Sequence, residues 1–384
     1  MIKLISILLL IAAVIAAGQY YNYRQSAIEP SGKVLKIGFV GKFGGTDNAQ
    51  GRETLEGVLA ANRLQPLLVN GHELVIVAEE QGETAEETLT RIEKLVNEDK
   101  VEAILIGSAS EHMLKVKQVA DVWKIPVISL IATHPEVTTG SSYMNQLCFD
   151  DTMQGKVAAL FVRDELLLNR VAVIIDQSDP YSSYLGQIFR TKFESTNGVL
   201  TGFNTVSQLK SSLLHELEKA DTQLLYLPLN PQANLKIIEL LAEHNWKPKL
   251  MGSDGLLANV LTRYPEQVDK FQGFYVTELF SGQDEFTVKR LLAKRALKAF
   301  KSLFRGEGTT YTALGVEGYM ILRKAMNSCG ELQSSNCINN NIRSTDNFKG
   351  LMANISIGKD GKAKRPVYVN IIDKGELDSV VKVY

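Results

Sequence analysis

The sequence contains neither GxGxxG nor GxxxxGKS/T, so both glycine-rich loops that cradle nucleotide phosphates are missing. Gly41, Gly44 and Gly45 do cluster after an early apolar run, but their spacing fits neither loop. Histidine is scarce, with five in 384 residues. His72 and His215 each precede a glutamate, yet neither has a second histidine four residues after it, so the HExxH zinc motif is absent and no metal site is expected. No GxSxG elbow supports a serine nucleophile. Cysteine is limited to Cys148, Cys329 and Cys337, with no CxxC pair. Cys329 and Cys337 bracket a short polar stretch and either form a disulfide in an oxidising compartment or remain separate thiols. Cys148 is left over and reads as a small buried hydrophobe. An excess of one charge is also lacking: 42 basic against 43 acidic residues leave a net charge of −1, and no basic run interleaves with aromatics. That excludes the electrostatic footprint of a nucleic-acid binder.

What is present is a long chain of ordinary globular composition, 45% hydrophobic and 22% charged. At about 150 residues per domain its length predicts two lobes, and two lobes create a cleft. The start departs from the rest: Met1 to Lys3 is basic and Leu4 to Ala17 is apolar. This run is shorter than the about 20 residues a bilayer-spanning helix needs, and Ala16, Ala17 and Gly18 supply small residues before Gln19. Residues 1–18 are therefore expected to be a signal peptide, with the mature chain starting near Gln19. The alternative is a retained membrane anchor, with Tyr20, Tyr21 and Tyr23 at the interface. Residues 19–33 read as a linker.

From Val34 onward short apolar runs alternate with amphipathic stretches. Val34–Val40, Glu73–Ala78, Ala103–Gly107 and Pro126–Leu130 read as strands, with helices near 51–64, 84–98 and 110–123 between them. A second cycle follows after Asp151. Its expected strands are Arg170–Ile175, Leu224–Pro228 and Lys249–Gly252, with helices near 152–167, 182–195, 210–219 and 233–245, and Gly273–Glu278 then reads as a strand leading back to the first lobe. Further helices are expected at Glu285–Phe304 and Thr312–Met326, and a last strand at Val367–Ile372. Strands separated by helices of about 10–15 residues indicate βαβ units and parallel sheets, so both halves are α/β.

Several segments, in this order, carry a resemblance: Ile37–Gly41 with its glycine-rich turn, Gly51 to Gly57, Ile106-Gly-Ser-Ala-Ser110, Ile125–Glu136, Asp176–Tyr181, Met251-Gly-Ser-Asp-Gly255, Phe348–Gly350 and Gly358–Gly361. Together they resemble the type I periplasmic binding proteins that serve branched-chain amino acid ABC transporters. The resemblance implies an α/β fold of two doubly wound parallel-sheet lobes joined by a three-segment hinge. Ligand would lie between the lobes at the carboxyl ends of the strands. One lobe would hold 34–150 and 277–362, the other 151–276 and 363–384.

By the same resemblance, Ser110 and Thr133 occupy positions that hold a ligand carboxylate. Ser110 opens a helix, where unpaired N–H groups and the helix dipole favour an anion, although a plain N-cap needs serine for the same reason. Thr133, with the carbonyl of Ala132 before it, could take carboxylate and ammonium, or could simply shape the turn before Pro135. Asp254 stands where the family places an acid beside the ammonium; between glycines it also suits a turn. Tyr181 matches an aromatic that closes over the ligand. Gln50, Leu229 and Asn230 depart from the pattern, standing where aromatic walls are usual, and this predicts a wider side-chain pocket with one added amide.

The implied function is extracytoplasmic capture of an amino acid or amino-acid-like molecule for an ABC permease, without cofactor or catalysis. The competing readings are a membrane-anchored sensory module feeding a receptor, and an α/β enzyme, for which convergent titratable groups are not evident.

Overall fold

The computed structural model describes residues 28–44, 49–280 and 310–383. The apolar N-terminal run, most of the expected linker and the expected helix Glu285–Phe304 lie outside these residues.

The first sheet is parallel throughout. Strands β1 (Val34–Gly41), β2 (Glu73–Glu80), β3 (Ala103–Gly107), β4 (Val127–Ser129) and β5 (Met144–Gln146) lie in the order β2-β1-β3-β4-β5. Every residue of β3 is buried, as a strand covered on both faces requires. Helices α1 (Ala49–Leu64), α2 (Ala85–Asn97) and α3 (Ser110–Trp123) make the crossovers. Thr84 starts α2 with a capping box, since its hydroxyl accepts from the N–H of Glu87 while the Glu87 carboxylate accepts from its own N–H. Met113, Val116 and Ala120, one or two turns apart on α3, pack on Ile104 and Ile106. Each such burial contributes about 1–3 kcal/mol.

The chain then enters the second lobe through α4 (Asp151–Leu160). The expected helix to residue 167 changes character at Phe161, where one π-turn runs to Glu165. Strands β6 (Arg170–Ile175), β7 (Val199–Thr205), β8 (Leu224–Tyr226), β9 (Lys249–Met251) and β10 (Tyr275–Glu278) are joined through α5 (Pro180–Ser195), α6 (Ser211–Lys219), α7 (Pro231–His244) and α8 (Leu256–Arg263). On the return come α9 (Thr310–Ser328) and α10 (Ser335–Arg343). A small antiparallel sheet of β11 (Phe348–Lys349), β12 (Asn354–Ile357) and β13 (Ala363–Lys364) follows. Finally β14 (Val367–Asp373) and β15 (Glu376–Val383) add antiparallel to β10, giving the order β15-β14-β10-β9-β8-β6-β7. Strand pairing puts Thr277 and Glu278 in this second sheet and Ala363 and Lys364 in the small one, each just across the expected lobe divisions.

Two contacts fix the geometry that matters for the cleft. Helices α1 and α9 touch backbone to backbone: a Cβ on Gly57 would stand 2.1 Å from the carbonyl oxygen of Thr312, and one on Gly315 2.1 Å from that of Thr54. Only glycine permits this approach, and it sets Gln50 beside Tyr311. At the third crossing Arg365 is pinned inside the first lobe by Glu317, Nη1 to Oε2 at 3.1 Å, with both side chains fully buried. Cys329 and Cys337 are joined by a disulfide that ties the end of α9 to α10, and Cys148 is free and buried. Among the described residues no helix is long and apolar enough to cross a membrane.

Candidate functional site

A cleft of about 270 Å³ opens between the sheets, and the seven residues singled out in the sequence, Gln50, Ser110, Ala132, Thr133, Tyr181, Leu229 and Asp254, all line it. They converge because each follows the carboxyl end of a parallel strand or opens the next helix, which is where doubly wound sheets leave room.

The first-lobe wall is neutral and rich in donors. The N-cap of α3 is Ala109, which has no side chain able to cap, so Ser110 is the first helical residue and the plain N-cap reading does not hold. The hydroxyl of Ser110, a residue only 4% exposed, accepts from the N–H of His134 at 3.3 Å and ties the helix start to the loop after β4. That loop carries Ala132 and Thr133. The Ala132 carbonyl already accepts from buried Gln146 at 2.7 Å, and the Thr133 carbonyl accepts from the N–H of Asp151 at 2.9 Å. These bonds rigidify the loop, and the Thr133 hydroxyl acts on the buried Asp151 carboxyl.

The second-lobe wall carries two acids, Asp179 and Asp254, and the exposed Arg263 lines it as well. Oδ1 of Asp254 accepts from the Tyr181 hydroxyl and from Nε2 of Gln154, each at 2.7 Å. Burial raises the Asp254 carboxyl above the ordinary range, and these two hydrogen bonds work against the rise. Two further carboxylates stand close by. Asp151 is fully buried, with no hydrogen bond of ordinary geometry to either oxygen. Burial and then the Asp254 charge push it well upward, while the Thr133 hydroxyl pulls the other way. Glu278 accepts from the N–H of Gly255 at 3.0 Å through Oε1, and its Oε2 has no partner among the described residues. Burial, reinforced by Asp254, pushes its pKa up to about 8. No basic side chain pairs with any of the three among the described residues.

At the far end of the cleft the Gln50 amide is held in place, since its Nε2 donates to Oδ1 of Asn259 at 3.0 Å and to the Tyr311 hydroxyl at 2.9 Å. Nδ2 of Asn259 also donates to that hydroxyl at 2.9 Å. Tyr311 thus supplies an aromatic wall from another helix, and the three side chains link α1 and α9 of the first lobe to α8 of the second. Leu229 is nearly buried and Asn230 caps α7 through the N–H of Ala233, so neither adds a free polar group.

Sequence reasoning missed Tyr311, Asn259, Gln154, Asp151 and Glu278. Tyr311 and Asn259 sit in ordinary helical sequence, and only the glycine contact between α1 and α9 makes Tyr311 a neighbour of Gln50. Asp151 was visible as an acid at a helix start, but its burial was not.

Against known proteins, a family described as periplasmic binding protein matches residues 34–376. A Pseudomonas aeruginosa protein described as an amino acid binding protein is 24% identical over 198 residues, 50% of this chain and 52% of its own length. The chain thus spans about half the length of that curated relative. The crystal structure of the leucine-binding protein LivK from Thermotoga maritima superposes with a TM-score of 0.81 at 25% identity, covering 91% of this chain and 98% of LivK. The branched-chain amino acid transporter substrate-binding protein LivJ from Streptococcus pneumoniae, solved with isoleucine, gives 0.79 at 22% identity, covering 91% and 100%, and that likeness concerns the fold.

Proposed function

The chain belongs to the periplasmic binding protein family, and on that premise we propose that its cleft captures an amino acid, or a small molecule with the same charged headgroup, and presents it to an ABC importer. The family is one of solute-binding proteins rather than an enzyme class, and its members work outside the cytoplasm. The observation that carries the headgroup reading is the opposition of the two walls across the cleft. Ser110 and Thr133, beside the first turn of α3, suit a carboxylate, while Asp254, held by Tyr181 and Gln154, suits an ammonium. The Gln50–Asn259–Tyr311 network closes the side-chain end and favours a small or polar side chain over a bulky branched one. The basic start and apolar run of residues 1–18 support export, with the chain either released by cleavage near Gln19 or held by an anchor. A finding of intact Met1 by mass spectrometry of the exported protein would turn the reading toward an anchored sensory module.

A thermal-shift screen tests the headgroup. Zwitterionic amino acids should raise the unfolding midpoint, because a ligand that binds only the folded state stabilises it. Matched carboxylic acids without an amino group, aromatic acids included, should not. Equal shifts from acids with and without the amino group would overturn the assignment while leaving the binding-protein fold intact.

A further inference from the structure

Two of the five histidines meet at the surface of the second lobe, on the consecutive helices α6 and α7. His215 and Glu218 lie one turn apart on α6, so their side chains share a face. His244 is the last residue of α7, and its Nε2 stands 3.1 Å from Oε2 of Glu218. The two imidazole rings meet edge to face, with centroids 5.7 Å apart. One ligand atom from each residue, two ring nitrogens and a carboxylate oxygen, lies within 4.8 Å of the other two.

We propose that His215, Glu218 and His244 bind a divalent transition-metal ion of the zinc, nickel or copper kind. Tetrahedral zinc with bonds of about 2.0–2.1 Å keeps its ligands about 3.3 Å apart. Small rotamer changes in surface side chains contract the present spread to that value. Two imidazoles and one carboxylate select such ions over magnesium or calcium, which prefer all-oxygen shells, and they leave a fourth position for water. The location adds a second attraction: His244 ends a 14-residue helix, where the negative end of the macrodipole favours a cation. His215 and Glu218 are exposed and His244 is half-buried, so an ion enters from solvent without opening the lobe. The HExxH pattern looks for both histidines on one helix and therefore could not find this set.

The site is independent of the cleft. Helix α7 starts at Pro231 on the cleft wall and ends at His244, about 20 Å away at 1.5 Å per residue. A bound ion would staple α6 to the far end of α7 without touching the ligand.

Zinc titrated calorimetrically into the intact chain tests this, with cobalt absorption reporting the coordination. One ion per chain is expected, together with the visible bands of tetrahedral cobalt. His215→Ala and His244→Ala should each weaken binding at least about tenfold, and Glu218→Gln less, while the double histidine variant should lose both the stoichiometric heat and the bands. Two of the side chains are exposed and His244 is only half-buried, so melting of the variants in the presence of EDTA should change little. The proposal is overturned if the parent takes up no zinc at about 1 mM, or if the double variant binds it as tightly as the parent.

Discussion

The two lobes bury carboxylates under opposite terms. In the first, Glu317 lies fully buried against Arg365, with its second oxygen accepting from the N–H of Met352 at 2.8 Å. In the second, the fully buried Asp151 and Glu278 stand near the half-buried Asp254, which lines the cleft, among phenols, an amide and backbone N–H groups, and among the described residues no cation pairs with them. A buried carboxylate costs several kcal/mol unless it is paired, protonated or met by a ligand. The paired group therefore reads as structure, holding the third crossing in place. The others lack such a partner, and of the three only Asp254 lines the cleft.

The largest expected effect tests the paired side. Glu317→Gln leaves the Arg365 guanidinium buried without its counter-charge and should cost about 3–5 kcal/mol in denaturant unfolding, with the affinity of the folded protein retained. A loss below about 1 kcal/mol would show that the pair is not what pins the crossing.

Next comes the unpaired side. Asp254→Asn keeps the shape and removes the charge, and it should weaken binding of an ammonium-bearing ligand by about 2–5 kcal/mol, more than tenfold by calorimetry, without lowering stability. Undiminished affinity would mean that no ammonium sits there.

The contrast also has a pH signature. Glu278 has a folded pKa of about 8 against an ordinary value of 4.5, so between those values the folded state holds a proton that the unfolded chain has released. Stability from this group is present at low pH and is lost as pH rises through that window, by at most about 1.4 kcal/mol per unit. Melting midpoints of the ligand-free protein should fall from pH 5 to 8, and Glu278→Gln should flatten the fall. An equal slope in parent and variant would assign the dependence to other groups.

The smallest effect belongs to the neutral wall. Ser110→Ala removes one hydroxyl but leaves the N–H groups of α3, so affinity should drop by only about 0.5–1.5 kcal/mol. A drop matching that of Asp254→Asn would erase the asymmetry between the walls.

The alternation of short apolar runs with amphipathic stretches was enough, by itself, to determine the strands β1, β3 and β6, the span of α3 and the α/β class, because burial of a parallel strand on both faces demands continuous apolar residues and a crossover helix demands a 3.6-residue period. The positions of Ser110, Thr133 and Asp254 in the cleft were legible through family resemblance, since strand ends and helix starts recur in sequence order. The tertiary structure alone decided what each group faces. It tied the Gln50 amide to Asn259 and Tyr311, made Ala109 rather than Ser110 the cap of α3, and brought Asp151 and Glu278 each close to Asp254. Those three acids open a helix, occupy a loop and end a strand in distant parts of the chain. Desolvation and like-charge repulsion depend on separation in space, and no local pattern encodes that.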